Sequence, residues 1–183
     1  IGDYAFYQSE ALSVYIPDSV KSIGQSAFRE SGLVAVTIPG SVETIGNNAF
    51  RKCENLTSAT VSNGVTTIGD SAFQGCMSLS HIDFPASIRS VGAAAFTSCK
   101  DMVSVRFMPS SHTVTLGDNL FSQCQNLLRV TLPQTADCIS AGMFASCSSL
   151  SELFIPKSVQ SIGENPLTAC KILQVVYYEG SEE

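Results

Sequence analysis

Apolar and polar residues alternate along this chain in two short phrases that recur about every 23 residues. The first reads Ile-Gly-x-x-Ala-Phe. It ends at Phe6, Phe28, Phe50, Phe73 and Phe96, continues in altered form at Phe121 and Phe144, and places Leu167 in the same slot. Successive spacings are 22, 22, 23, 23, 25, 23 and 23 residues. The second phrase, apolar-x-x-apolar-x-apolar-Pro, is clear at Leu33, Val36, Ile38 and Pro39, at Leu79, Ile82, Phe84 and Pro85, and at Leu150, Leu153, Ile155 and Pro156. A fixed period of this length marks a stack of equivalent coils, because one such unit cannot bury its apolar face alone.

The alternating end of the second phrase predicts a short strand with one buried face. Pro17, Pro39, Pro85, Pro133 and Pro156 stop that strand, since proline has no N–H to give a sheet ladder. Beyond each proline, pairs such as Val42 and Ile45 or Val65 and Ile68 form the second corner of the coil, a second short strand. Gly24, Gly46, Gly69, Gly92, Gly117 and Gly163 follow, at places where a side chain would obstruct the backbone. Asp3, Asn47, Asp70 and Asp118, which come next, are candidate caps for a helical turn that carries the Ala-Phe pair on the convex side.

The fold class is thus α/β and β-rich, a right-handed solenoid with one short concave strand plus a convex short strand or helical turn per repeat. Residues 1–183 form a single domain of about eight repeats, the first and last incomplete. Because Ile1 to Phe6 is the middle of a repeat, the chain is expected to be a fragment of a longer protein. Two places depart from the pattern: an insertion around Ser110 to Thr113, expected to bulge as a loop holding His112, and Ile139 to Phe144, where Ser140 stands in the glycine slot.

Stacking in register turns the outward-facing strand positions into rows on the concave surface. One row runs Tyr15, Thr37, Thr60, Asp83, Arg106, Thr131, Phe154, Tyr177; its neighbour runs Ser13, Ala35, Ser58, His81, Ser104, Arg129, Glu152, Val175. Both begin small and neutral, then gather charge and aromatic rings. Arginine with exposed aromatics is the usual makeup of interface anchors. Asp83, Arg106, Arg129, Glu152, Phe154 and Tyr177 are therefore the candidate ligand-binding residues. The competing reading is that opposite charges on adjacent strands only pair with each other and that Tyr177 covers the last coil.

Composition narrows the function classes. A hydrophobic share of 44% with 14% charged residues fits a chain that buries a continuous core. Ten basic residues scattered among sixteen acidic ones, net charge −6, lack the basic stripe that a nucleic-acid partner requires. No run approaches the ~20 apolar residues that span a bilayer. Of the seven cysteines, Cys53, Cys76, Cys99, Cys124, Cys147 and Cys170 lie three residues after the Phe slot, where Ser9 and Ser31 stand in earlier repeats. They are expected to be buried free thiols, since side chains parallel in a ladder suit disulfide geometry poorly. Cys138 falls in a row otherwise made of Ser22, Thr44, Thr67, Ser90, Thr115 and Ser161, where it is a small substitute or, less often, a reactive thiol.

Two histidines and no Cys-x-x-Cys pair give no metal site, and no cofactor is implied. Neither a Gly-x-Ser-x-Gly phrase nor a phosphate-cradling glycine loop occurs. His81 and Asp83 share a strand face, read as a surface pair in preference to a catalytic one. No enzyme is expected.

The combined phrase from Leu33 to Phe50, Leu-Val-Ala-Val-Thr-Ile-Pro-Gly-Ser-Val-Glu-Thr-Ile-Gly-Asn-Asn-Ala-Phe, together with the following Cys or Ser-Gly, resembles the repeat of the BspA-type leucine-rich family over essentially the whole chain. The ending from Val176 to Glu183 is similar to the closing segment of bacterial members, which usually continue to a tryptophan missing here. The resemblance implies an extracellular or cell-surface adhesion module whose partner is a host or extracellular-matrix protein or another cell surface. The alternative is a structural spacer that presents another domain. Since one repeat fold serves many partners, the family motifs carry over no ligand residues.

Overall fold

A computed structural model describes residues 1–179; Gly180 to Glu183, the end of the closing segment, lie outside the described residues. Each coil contributes one long and one short strand. The long strands are β2 (Ala35–Ile38), β4 (Ser58–Val61), β6 (His81–Phe84), β8 (Ser104–Phe107), β10 (Arg129–Thr131), β12 (Glu152–Ile155) and β14 (Val175–Tyr178). The short ones are β1 (Ser22–Ile23), β3 (Thr44–Ile45), β5 (Thr67–Ile68), β7 (Ser90–Val91), β9 (Thr115–Leu116), β11 (Cys138–Ile139) and β13 (Ser161–Ile162). All pairings are parallel and in the register read from the repeat: Thr37 faces Thr60, Asp83 faces Arg106 and Phe154 faces Tyr177. An isolated bridge from Ser13 to Ala35 extends the long-strand rows to the first coil.

The sequence leaves a short strand or a helical turn open for the far side of the coil. The short strand is present, and the Ala-Phe segment is a run of turns with no helix among the described residues. Its path depends on two left-handed residues per coil, four positions apart, such as Ser26 and Glu30, Asn48 and Lys52, or Ala94 and Ser98. Most are not glycine, and each such residue carries roughly 1–2 kcal/mol of steric cost. Bonds to the next coil hold them there: Ser26 N–H donates to the Asn47 carbonyl at 2.9 Å and Glu30 N–H to the Arg51 carbonyl at 2.8 Å.

The candidate caps also work between coils. The Asp3 carboxylate accepts from Gln25 N–H at 2.7 Å, Asn47 Oδ1 from Asp70 N–H at 2.9 Å and Asp70 from Ala93 N–H at 2.8 Å. Each thus satisfies the turn of the following coil, whereas the sequence pattern points to the turn of its own. The glycine slot exists for the same reason. A Cβ on Gly46 would lie 2.8 Å from the Gly24 carbonyl carbon and 2.9 Å from Gln25 N, so the bare backbone lets one coil seat on the last.

The core is a set of ladders along the stack. Phe28, Phe50, Phe73, Phe96, Phe121 and Phe144 are buried, their rings nearly parallel and 5.0–5.2 Å apart as far as Phe96. Each such ring contributes about 1.5–3 kcal/mol through burial. The spacing widens to 5.9 Å at Phe96–Phe121 and again at Phe121–Phe144. The insertion falls in this stretch. As expected it forms a loop, in which His112 Nε2 bonds the Ile88 carbonyl at 2.8 Å.

Both sheets are interrupted once. The short-strand sheet runs β1 to β9 and restarts as β11–β13. At that break Ser140 replaces glycine, and its Oγ donates to the Leu116 carbonyl, which the glycine N–H reaches in regular coils, as Gly117 reaches Val91 at 2.9 Å. A side-chain bond thus stands at this seam where regular coils have a backbone one. The long-strand sheet divides between β4 and β6, where the last strand position changes from Ile38 and Val61 to Phe84 and Phe107. Phe84 stacks on Phe107 at 4.3 Å and meets Phe96 edge-on at 5.5 Å, so its ring follows the later coils.

The seven cysteines are free. Five are buried, while Cys138 and Cys170 are half-buried. Each ladder thiol donates to the phenylalanine carbonyl of the preceding coil: Cys53 to Phe28 at 3.0 Å, Cys76 to Phe50 at 3.1 Å, Cys99 to Phe73 at 3.2 Å, and so on to Cys170 and Phe144. Burial pushes these thiols above their ordinary value of 9.0, and neighbouring thiols add to the effect from Cys76 onward to Cys147.

Candidate functional site

Outward positions of the long strands place the candidate residues on one surface, because burial alternates along β6 to β12 and fixes which side chains point out. Asp83 and Arg106 are cross-strand neighbours and form a fork-like ion pair, Nη2 to Oδ2 at 2.6 Å and Nε to Oδ1 at 3.3 Å. The hydrogen bond and charge of Asp83 push the Arg106 guanidinium above its usual range. Both side chains stay in solvent, at 62% and 44% exposure for Arg106 and Asp83, so the pair fixes orientation more than it stabilises the fold.

Arg129 and Glu152 are also register partners, yet they form no ion pair among the described residues. Here the expectation of simple pairing between opposite charges does not hold. Arg129 instead lines a shallow hollow of about 500 Å³ with His81, Asp83, Ser104, Arg106 and Thr131. Glu152 is not part of its wall. On the next two coils, Phe154 and Tyr177 stack at 4.4 Å with rings 9° from parallel, both exposed, and Phe154 is the register partner of Thr131. Five of the six candidates thus fall into two groups, an arginine-bearing hollow and an aromatic pair, with Glu152 between them in sequence.

Sequence reasoning missed Ser104 and Thr131 as wall residues. They sit in the same outward rows, but a hydroxyl gives no signal until the hollow is visible. His81 lines it too, and Ser80 Oγ lies 3.1 Å from its Nδ1, so the surface reading of this histidine fits its neighbourhood. Among the described residues no group of His, Cys, Asp or Glu is placed to hold a metal ion. No helix among them is long and apolar enough to cross a membrane.

The family model for the BspA type leucine rich repeat region matches six copies, over residues 1–115 and 66–182. The chain belongs to the BspA-type leucine-rich repeat family. A leucine-rich repeat protein from Treponema pallidum has a similar crystal structure, with TM-score 0.73 and 28% identity over 95% of this chain and 71% of that one. One from Bacteroides ovatus gives 0.55 and 24% over 94% of this chain and 56% of that one. The pneumococcal vaccine antigen PcpA shares the fold at 0.50 and 16%, over 97% of this chain and 59% of that one. No curated protein sequence matches. The BspA-type match runs over the coils that carry the ladders and glycine slots described above.

Proposed function

We propose that this chain is the protein-binding, adhesive module of an extracellular cell-surface protein, and that its partner docks on the later half of the long-strand sheet. The observation that carries the reading is the exposed Arg129 guanidinium, without a carboxylate partner among the described residues, in a hollow beside an exposed aromatic stack. An arginine held among hydroxyls and next to rigid rings offers directional bonds and apolar area at small entropic cost. Membership of the BspA-type family supports the surface location and the partner class, a host or extracellular-matrix protein or another cell surface.

The test is a binding screen against extracellular-matrix proteins and host-cell surfaces, run beside a variant with Arg106, Arg129, Phe154 and Tyr177 changed to alanine. Saturable binding by the parent that weakens about thirtyfold or more in a variant with an unchanged circular dichroism spectrum is the anticipated result. Binding by neither protein would sink the reading in favour of a spacer.

A further inference from the structure

The interruption of the long-strand sheet has a second effect. Between β4 and β6 it opens a second hollow, about 290 Å³, lined by Val61, Phe84, Pro85, Ala86 and Met108 together with Asn63 and Asp83. Its surface is almost wholly apolar. Met108 is 37% exposed at its rim, while Phe84 and Pro85 are buried and form the floor. Asp83 belongs to both hollows. The residue they share is thus Asp83, whose charge is already matched by Arg106. On the polar side this leaves Arg129 as a cation, with Ser104 and Thr131 as neutral neighbours.

We propose that the two hollows form one recognition site for a linear peptide segment that places a carboxylate side chain on Arg129 and a large apolar side chain in the hollow of Val61, Phe84 and Met108. This rests on the protein-binding reading and names the chemistry of its partner. The carboxylate follows from charge complementarity: an unpaired guanidinium fork binds a planar carboxylate through two parallel bonds. The apolar side chain follows from the second hollow, whose water is displaced favourably by carbon. A peptide supplies both on one flexible strand. A sulfated or sialylated glycan supplies the anion but nothing for Phe84 and Met108.

The experiment is selection from a displayed library of random linear peptides on the 183-residue chain, with sulfated and sialylated glycans printed as a parallel array. The recovered peptides are then titrated against Arg129→Ala, Ala86→Arg and, as a control on the early half of the sheet, Thr37→Ala. Ala86 is exposed, so arginine there blocks the apolar hollow from outside the core. The result expected is enrichment of an Asp or Glu close to a Leu, Met or Phe, with about tenfold weaker binding for Arg129→Ala and for Ala86→Arg and no change for Thr37→Ala. Selected peptides that ignore Ala86→Arg, or binding to anionic glycans without any peptide, would overturn this proposal. Neither outcome touches the protein-binding reading, which fails instead if the parent chain binds no matrix protein and no host-cell surface.

Discussion

Gly69→Ala sets two physical effects against each other at one position. The backbone of Gly69 is not in the left-handed region, so chain entropy alone predicts that alanine stabilises the fold by about 0.4–1 kcal/mol. Close approach predicts the reverse. A Cβ there would lie 2.5 Å from Asn47 Oδ1, 2.7 Å from Asn47 N and 2.8 Å from the Gly46 carbonyl carbon. Forcing the coils apart costs about 1–3 kcal/mol as overpacking. It also weakens two bonds, Gly69 N–H to the Ile45 carbonyl at 2.8 Å and Asp70 N–H to Asn47 Oδ1 at 2.9 Å, each worth about 1 kcal/mol. The net is a loss of about 3 kcal/mol, or roughly 6–12 °C in Tm for a chain of this length that unfolds as one unit. Gly2 occupies the same slot with nothing within 4 Å of the point a Cβ would take, so Gly2→Ala is the internal control and should shift stability by less than ~0.5 kcal/mol. Urea and thermal unfolding followed by circular dichroism measure both. If the two variants behave alike, close approach is not why the slot is glycine.

Three further outcomes are expected. The buried thiols stay protonated in the folded chain while the unfolded chain ionises, so their contribution is complete below the ordinary thiol value of 9.0 and is lost as pH rises from there. Urea midpoints should accordingly fall between about pH 9 and 10.5 in the parent, and a flat profile would refute the linkage; a thiol reagent at neutral pH should label Cys138 first and the five buried cysteines only on unfolding. Ser140→Gly should let β9 and β11 pair, seen as slower exchange of the residue-140 amide, and unchanged exchange would mean that the two-residue insertion, not the serine, separates those coils.

How much of this was legible in the sequence depends on whether a feature repeats. The pairing of Asp83 with Arg106 and of Phe154 with Tyr177 could be read directly, because one strand per repeat in constant register converts sequence spacing into lateral position. The left-handed residues could not: Ser26, Glu30, Asn48 and Lys52 carry no common side chain, since their geometry is imposed by carbonyls on the next coil. The direction of the Asp3, Asn47 and Asp70 caps was hidden for the same reason, as the N–H groups they meet lie a full repeat away. Ser140 was visible as a substitution, but its bond to Leu116 and the break in pairing were not. At the candidate site the rows were legible and the hollows were not. The polar hollow lies within the unbroken sheet from β6 to β14 and the apolar one where that sheet parts from β4, and neither follows from repeat spacing alone.

The left-handed residues also decide how the molecule answers a pull. The bonds that hold them, like the strand pairings, run along the axis of the stack, from one coil to the next. Tension along the stack passes through every seam in turn, and a coil that has lost one neighbour is gripped from the other side only and is the next to let go. Once detached, it loses the contacts that kept its own turns in place. It lengthens from a rise of ~4.8 Å to roughly 75 Å of extended chain. A stack held together this way yields by shedding coils one after another, each release lengthening the chain and easing the load on the coils behind it.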